Sequence, residues 1–376
     1  MEAIYRKGCG ARHGRRILRR PHREPFLTSL VPRTRLPMAH LLLFGWMPSP
    51  LRRMAYRIFL GYRIGARVKF GLGSAVVGRE VQIDDDVEIG LLAVVQGRRI
   101  TIGRHSSVGT MSYLSCERIE IGEDARIREQ VFVGGPALPE SFFKLGDRTI
   151  ILQNTNINPT KPVVIGDDSG IGGHCLIFSH GAWLNQMDGY PVTYEPVTIG
   201  KSVWLPWRVF VMPGSTIGDG SVIGANSLVA GEIPPFSLAV GTPAKVIRSA
   251  PQFPQLPDAA ARAAMVATML AEFERYLAYE AVRVTAGELR EYRAAGTTHR
   301  LWHRKADADA LTTNLRAGDT VLSERALDAE EQSRLRAAGV FWLDVAGRTR
   351  SRRGSALTEE LALFLGRYGI RLPRDR

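Results

Sequence analysis

Aliphatic side chains recur every six residues through the middle of this chain. The clearest series comprises Ile199, Leu205, Val211, Ile217, Ile223 and Val229, and the same spacing occurs upstream between Ile83 and Val133. The residue two positions before each aliphatic is often small or β-branched, as at Val203 and Ser215. A period of six fits neither an α-helix nor a simple alternating strand.

This period suits a chain wound as a triangular prism, in which each face places one aliphatic side chain on the central axis. Hexapeptide repeats of this kind are typical of β-helices. Three faces make one coil of about eighteen residues. The second inward position of each face takes only a narrow side chain, which explains the valines and serines two residues earlier. The sequence therefore predicts a mainly β fold.

Composition changes along the chain, and we expect three parts: a basic N-terminal arm over 1–53, a β-helix domain over 54–250, and a C-terminal part over 251–376. In the last part, apolar residues at helical spacing predict a helix over 258–284. Two strand-like and two helix-like segments between 318 and 376 predict a small α/β module. Within the β-helix domain, a loop between 181 and 196 interrupts the repeat, and Pro234–Pro235 is expected to end the winding.

The net charge of +13 is concentrated in the arm. Residues 1–53 carry twelve Lys or Arg against Glu2 and Glu24, whereas acidic and basic residues balance over 54–250. One interpretation is a peripheral contact with anionic lipid; the alternative is a solvated extension followed by a helix that caps the first coil. The apolar stretch from Met38 to Met47 is too short to span a bilayer, which takes about 20 residues. Nothing interleaves aromatic and basic residues as a nucleic-acid reader does, so we expect no nucleic-acid partner.

The three cysteines, Cys9, Cys116 and Cys175, do not have the spacing of a metal site and are too few for a disulfide scaffold. They fit a reducing compartment, so we expect a cytoplasmic protein, with any membrane contact at the inner face. Cys175 falls at an inward small position and is expected to be core filler.

His180 is the strongest candidate for catalysis. His105, His174 and His180 each lie three positions after an inward aliphatic residue, which places them outward at corners. His180 differs because the long loop starts directly after it, so its corner is walled on one side. An imidazole in such a cleft is suited to act as a general base.

The stretch from Ile165 to Arg248 resembles the hexapeptide-repeat acyltransferases, a left-handed parallel β-helix family, and is most similar to the galactoside, maltose and colanic-acid-type O-acetyltransferases. The resemblance is carried by the motifs at 165–168, 196–204, 213–225 and 241–248 together with His180 and its loop. It covers under a quarter of the chain. Two departures are Pro206–Trp207, where the family usually has glycine and a small residue, and Ala230–Gly231, where it often has Thr–Lys.

The resemblance implies transfer of an acyl group, expected to be acetyl, from acetyl-CoA to a hydroxyl of a sugar or surface-polysaccharide intermediate, with His180 as general base. It implies a homotrimer with clefts between neighbouring prisms and no metal. Asn154 is the residue expected to hold the acceptor, with Asn156 as its competitor and a turn role as the alternative. The loop carboxylates Glu195 and Asp188 are candidates for contacting the acceptor or orienting the imidazole. The residues implied to bind CoA are Trp204, Trp207, Ala225, Lys245 and Arg248.

Two rival functions use the same fold. A metal enzyme like the γ-class carbonic anhydrases needs three imidazoles on one zinc, but His105 is expected to lie about three coils from His174 and His180, roughly 14 Å away at 4.8 Å per coil. A non-catalytic trimeric scaffold that presents the C-terminal module is the second rival. The loop after His180 and the CoA-end motif favour the enzyme.

Overall fold

The computed structural model describes residues 36–375, except 137, 286–288, 295, 309–310 and 312–313. The basic residues predicted to form the arm between Arg15 and Arg23 lie outside the described residues, as does Cys9. From Met38 onward the chain forms one compact unit. None of the described helices is long and apolar enough to cross a membrane.

Two helices precede the coils and close the first one: α1 (Met38–Phe44) and α2 (Ser49–Phe59). Tyr56 and Arg52 of α2 are fully buried, and Tyr56 packs on Tyr62 and Phe70 of the first coil. The interpretation of this segment as a capping helix agrees with this packing. Because α2 crosses residue 53, we propose that the arm ends before Met38 rather than within the helix.

The coils form three parallel sheets, one for each face of the prism. The first face comprises β1 (Arg63–Ile64), β4 (Glu80–Ile83), β7 (Arg99–Ile102), β10 (Arg118–Ile121), β13 (Phe142–Leu145), β16 (Val163–Ile165), β21 (Val197–Ile199), β24 (Thr216–Ile217) and β27 (Glu232–Ile233). The second comprises β2 (Lys69–Phe70), β5 (Glu88–Ile89), β8 (Ser107–Val108), β11 (Arg126–Ile127), β14 (Ile150–Ile151), β17 (Gly170–Ile171), β22 (Trp204–Leu205), β25 (Val222–Ile223) and β28 (Leu238–Gly241), with β29 (Ala244–Arg248) antiparallel at its end. The third comprises β3 (Ala75–Val77), β6 (Val94–Gln96), β9 (Tyr113–Ser115), β12 (Phe132–Gly134), β15 (Asn156–Asn158), β18 (Leu176–Phe178), β23 (Phe210–Val211) and β26 (Leu228–Val229).

The six-residue repeat is explained by the axis of this prism. The aliphatics of the 199–229 series are all buried and stack in register on those of neighbouring coils, as Ile165 does on Ile199. The narrow second positions are buried too, and the Ser221 hydroxyl there donates to the Pro234 carbonyl of the next coil. The predicted left-handed parallel β-helix, with its C-terminal helix and small α/β module, is confirmed.

Each coil has three corners. The first corner joins the first and second faces, the second corner joins the second and third, and the third corner joins the third back to the first. Residues other than glycine adopt positive φ in columns along the first two corners, for example His105 and Asp168 on the first, and His174 and Asn226 on the second. The loop after His180 leaves from the third corner.

The prediction that Pro234–Pro235 ends the winding was wrong. After the prolines the chain turns the first corner at Phe236 (φ 52°) and adds β28 to the second face before β29 folds back. Proline is tolerated because β27 is the last strand of the first face. In earlier coils the equivalent residue, such as Gly200 or Gly218, donates its N–H to the following coil, and on this face none follows Pro234.

The C-terminal part begins with α3 (Ala259–Tyr279), within the helix predicted for 258–284. A six-stranded sheet follows in the order β30 (Arg283–Thr285), β31 (Leu289–Ala294), β32 (Thr297–Arg304), β33 (Thr320–Ser323), β34 (Phe341–Asp344) and β35 (Thr349–Arg350). Helix α4 (Ala329–Ala337) supplies Leu335 to a small core with Trp342, while α3 and α5 (Ala356–Gly366) pack on Leu322 and Leu343 in a larger one. The sequence did not predict β30, β31 and β32.

Candidate functional site

His180 lies at the third corner, at the start of the long loop. Its backbone forms strand β19 (His180–Gly181), which pairs antiparallel with β20 (Thr193–Tyr194) and closes the loop at its base. The imidazole is partly buried, and its centroid lies 5.2 Å from that of the Tyr194 ring. The loop therefore forms a wall beside the imidazole, as the sequence predicted.

Asn158 contacts the imidazole directly and was not among the predicted site residues. Its amide nitrogen lies 3.1 Å from His180 Nδ1, while its carbonyl oxygen accepts hydrogen bonds from the backbone and the hydroxyl of Thr160. Because the backbone N–H of Thr160 can only donate, the oxygen of Asn158 must face it and the NH₂ group must face the ring. The Nδ1 lone pair of the neutral imidazole therefore accepts this hydrogen bond, and the proton lies on Nε2.

Next to the His180–Asn158 pair, the outer surface of the third face carries amide and aromatic side chains. Asn156 and Asn158 alternate with the inward Ile157, so both amides point outward on β15. Aromatic rings flank them on neighbouring coils, where Phe132 stacks on Tyr113 and Phe178 meets Phe210 edge to face. We call this surface the amide–aromatic platform; it consists of Tyr113, Phe132, Asn156, Asn158, Phe178 and Phe210.

Asn154 is not part of this platform. It is an exposed residue at the second corner with φ 58°, in the column that contains His174. Asparagine tolerates this left-handed conformation better than most residues. The turn role, which the sequence left open as the alternative for Asn154, explains its position.

The two loop carboxylates do not orient the imidazole. Asp188 ends a 3₁₀ turn (Gln186–Asp188) and accepts from the Asn185 amide, and the Glu195 carboxylate lies against Gly214. Neither forms a hydrogen bond to His180 in the part of the chain that the structure describes. The tip of the loop is apolar and open, since Trp183 is 95% exposed and Met187 is 92% exposed.

The predicted CoA-binding residues gather along the second corner and the face before it. The Trp207 ring lies over Gly173, and its carbonyl accepts the backbone N–H of Asn226, next to the exposed Ala225. On the second face the Trp204 ring covers Gly170, where an added Cβ would meet it at 2.6 Å. The glycines opposite the two tryptophans are therefore required by close packing.

Lys245 and Arg248 lie at the end of this edge on β29, and both are exposed. Neither has an ion-pair partner among the residues with described coordinates. Cations at the end of an edge that also carries exposed indole rings suit a long ligand with phosphates at one end and an apolar arm.

Arg371 of the C-terminal module is a further neighbour that the sequence did not reveal. It donates to the backbone carbonyl of Asp168 and lies 3.7 Å from the position a Gly170 Cβ would take, beside the Trp204 ring. Burial lowers its pKa, with the charge of Asp168 acting in the opposite direction. The C-terminal module thus reaches the second face at the predicted cofactor position.

Within one chain, His180 and the predicted CoA-binding residues do not come together. His180 is at the third corner, Trp207 is at the second, and the whole width of the third face separates them. Among residues 36–375, apart from the gaps given above, no three His, Cys, Asp or Glu side chains are placed to hold a metal.

Comparisons with known proteins find acetyltransferases that resemble part of this chain. A probable acetyltransferase of Mycobacterium tuberculosis is 34% identical over 145 residues, which are 36% of this chain and 46% of that protein. The galactoside O-acetyltransferase of Escherichia coli is 37% identical over 120 residues, 29% of this chain and 58% of that enzyme. The resemblance to the hexapeptide-repeat acyltransferases is confirmed.

The similarity to this acyltransferase family is confined to part of each protein, since the chain spans about half the length of these curated relatives. A solved hexapeptide-repeat acetyltransferase from Vibrio cholerae, in complex with acetyl-CoA, aligns with 39% of this chain and 69% of its own at 29% identity, with a TM-score of 0.29. No protein-family model matches this chain.

Proposed function

We propose that this protein is an acyltransferase that moves an acetyl group from acetyl-CoA to a hydroxyl of a sugar or surface-polysaccharide intermediate. The observation that carries the proposal is the His180–Asn158 pair at the root of the long loop, beside the amide–aromatic platform. The names of the sequence relatives support acetyl transfer, and one of them supports a sugar acceptor.

In the proposed reaction His180 is the general base. The acceptor hydroxyl approaches from the third face and donates its hydrogen bond to Nδ1. In the structure the Asn158 amide donates to Nδ1; when the acceptor is bound, this amide donates to the acceptor oxygen. As Nδ1 takes the proton, the oxygen attacks the thioester carbonyl, the C–O bond forms and the C–S bond breaks. The imidazolium then returns its proton to the leaving thiolate, so no covalent enzyme intermediate is needed.

We propose Asn158 and Asn156 as the residues that hold the acceptor. Both amides point outward from the same strand, and Asn158 is already hydrogen-bonded to the imidazole. The aromatic neighbours add apolar surface for the ring of a sugar. Asn154, at the second corner, lacks these contacts.

We further propose a homotrimer, in which the second corner of one protomer faces the third corner of the next. Trp204, Trp207, Ala225, Lys245 and Arg248 of one protomer would then bind acetyl-CoA beside His180 of its neighbour. The separation of the two groups within one chain supports this arrangement, because a single chain cannot complete the site. The exposed Trp183 and Met187 at the loop tip would pack on the neighbouring prism.

The experiment is incubation with acetyl-CoA and a panel of sugars, followed by measurement of free thiol and of acetylated product. We expect His180→Ala to fold normally and to lose transfer by about 10²–10⁴-fold, the usual contribution of a general base. His105→Ala is the matched control, since His105 is also a corner histidine but lies on the first corner. Near-native turnover by His180→Ala would refute the base assignment, and no thiol release with any acceptor would favour the scaffold alternative.

A further inference from the structure

The cap formed by α1 and α2 exposes an unusual amount of apolar surface. Five large side chains are more than 60% exposed, and three others are between 43% and 56% exposed. We call these eight residues the cap surface: Met38, Leu42, Leu43, Trp46, Leu51, Met54, Ile58 and Phe59.

The cap surface is separate from the packing of the cap on the coils. On α2 the buried residues Arg52, Ala55 and Tyr56 face the prism. Leu51, Met54 and Ile58 follow at intervals of three and four residues, so they form a second stripe on the same helix. Arg53 and Arg57 lie four residues apart on the other flank of the helix. The helix therefore has one face for the prism, one apolar face with no described neighbour to cover it, and one basic edge.

The stretch of sequence that carries the cap surface has only positive charges. No Asp or Glu occurs between Glu24 and Glu80, whereas nine Lys or Arg do. Arg53 and Arg57 donate to backbone carbonyls of the first coil and form no ion pair with the residues that the structure describes. Arg63 and Lys69 are exposed nearby, and the carboxylates of Asp86 and Glu88 lie in the cleft beside Arg53, on the side of the coil. A short helix with adjacent apolar and basic side chains suits the interface of an anionic bilayer. The apolar side chains enter the acyl region, and the basic side chains contact the phosphates.

The position of the cap surface also separates it from a subunit contact. It lies at the end of the prism, before the first coil, whereas prisms assembled side by side bury their flanks. Exposed apolar residues on the flank of the prism, such as Leu92 and Met111 on the second corner, are suited to a contact between subunits.

We infer that the cap surface docks this protein on an anionic lipid bilayer, with the prism axis pointing away from the membrane. The inference does not depend on the proposed acyl transfer, because it rests on residues outside the candidate site. It also does not require the arm, whose basic residues would add to the same attraction.

The test is flotation of the full chain with phosphatidylcholine vesicles, with and without phosphatidylglycerol. We expect binding to the anionic vesicles that weakens in high salt, because exposed charges are then screened. The variant Leu42→Glu/Ile58→Glu should reduce the bound fraction about tenfold or more, since two charges would enter the apolar layer. The matched control Leu256→Glu/Leu363→Glu adds the same charge at exposed apolar positions of the C-terminal part and should bind like wild type.

For each variant, circular dichroism checks that the protein is folded, and light scattering measures its oligomeric state. Unchanged vesicle binding by a folded Leu42→Glu/Ile58→Glu protein would overturn the inference and leave the arm as the contact. Absence of vesicle binding by wild type, combined with a smaller oligomer in the variant, would equally overturn it and make the cap surface a contact between copies.

Discussion

At the scale of single residues, the Asn158 amide decides which nitrogen of His180 is basic. The backbone N–H and the hydroxyl of Thr160 both donate to the side-chain oxygen of Asn158, which fixes the orientation of the amide. The amide NH₂ group then donates to the Nδ1 lone pair of His180. A general base must present the unprotonated nitrogen of its imidazole to the acceptor, and the Asn158 amide keeps Nδ1 unprotonated. The role of Asn158 is therefore open to a test that separates it from a purely structural one.

We predict that Asn158→Ala lowers kcat/KM about tenfold, because one hydrogen bond to the acceptor is lost. Asn158→Asp, although closer in shape, should be worse by about 100-fold at neutral pH, since its carboxylate would keep a proton on Nδ1. The acid limb of the pH–rate profile should also move to higher pH in Asn158→Asp. Equal losses in the two variants with unchanged pH profiles would show that Asn158 serves only the fold.

A second prediction concerns His40 in the cap. Burial, and after it the Arg52 charge, lower the pKa of His40 from 6.5 to about 4, and its Nε2 lies 2.7 Å from the Tyr56 hydroxyl. Between these two values the unfolded chain binds a proton that the folded chain does not, so acidification from pH 6.5 to 4 removes stability. We expect His40→Gln to lose less stability than wild type over this interval, as measured by urea unfolding. Parallel curves for the two proteins would contradict the prediction.

At the scale of elements, Arg52 joins the cap to the first coil. Its guanidinium is fully buried and donates to the carbonyls of Gly45, Met47, Gly71 and Ser74 and to the Ser74 hydroxyl. These carbonyls belong to the end of α1, the connection to α2 and the second corner of the first coil. Arg52 thus satisfies backbone groups that no sheet reaches.

We predict that Arg52→Met destabilises the cap by about 2–4 kcal/mol, because the carbonyls of Met47 and Ser74 lose their donor while the volume is nearly kept. The carbonyls of Gly45 and Gly71 keep a backbone donor. Arg53→Met is the control, since Arg53 makes one hydrogen bond, to the Val68 carbonyl. Denaturant unfolding, together with limited proteolysis of residues 45–72, measures the difference. A loss no larger than that of the control would mean that Tyr56 and its aromatic contacts hold the cap without Arg52.

At the scale of the whole molecule, the separation of His180 from the proposed CoA-binding residues, together with the proposed trimer, predicts complementation between subunits. His180→Ala and a Trp207→Ala/Lys245→Ala variant should each be nearly inactive. After mixing and co-refolding in equal amounts, about a quarter of the wild-type activity should return, because each cleft of a trimer draws its two halves from neighbouring chains. No recovery in mixed oligomers, verified by two affinity tags, would place both halves of the site in one chain.

The fold was predictable because a six-residue period has one physical solution, a prism with three faces and one axis. The inward positions Ile199, Leu205 and Val211 were all read correctly for this reason. The end of the winding was predicted wrongly, because a proline breaks a sheet only where its N–H has a partner to meet. Pro234 follows the last strand of the first face, where no further coil accepts that N–H. The strands β30, β31 and β32 lack a comparable period, so the sequence did not reveal them.

The site was predictable in part. The register placed His180 outward at the root of its loop. Two-residue alternation on β15 was a signal for Asn158 that the sequence analysis missed, since it named only Asn154 and its competitor Asn156. The hydrogen bond from Arg371 to the Asp168 carbonyl joins residues that are 203 positions apart. No local sequence pattern could predict it.

By itself the sequence determined the six-residue period. The period in turn gave the core, the faces, the corners and the position of His180 at the start of its loop, because each follows from the side of a pleated strand on which a residue lies. Only the tertiary structure decided which polar groups meet. The Asn158–His180 hydrogen bond, the Trp204 and Trp207 rings over glycines, and the width of a face between the two halves of the site depend on stacking between coils. Such distances arise from chain segments that are remote in sequence, and no local pattern encodes them.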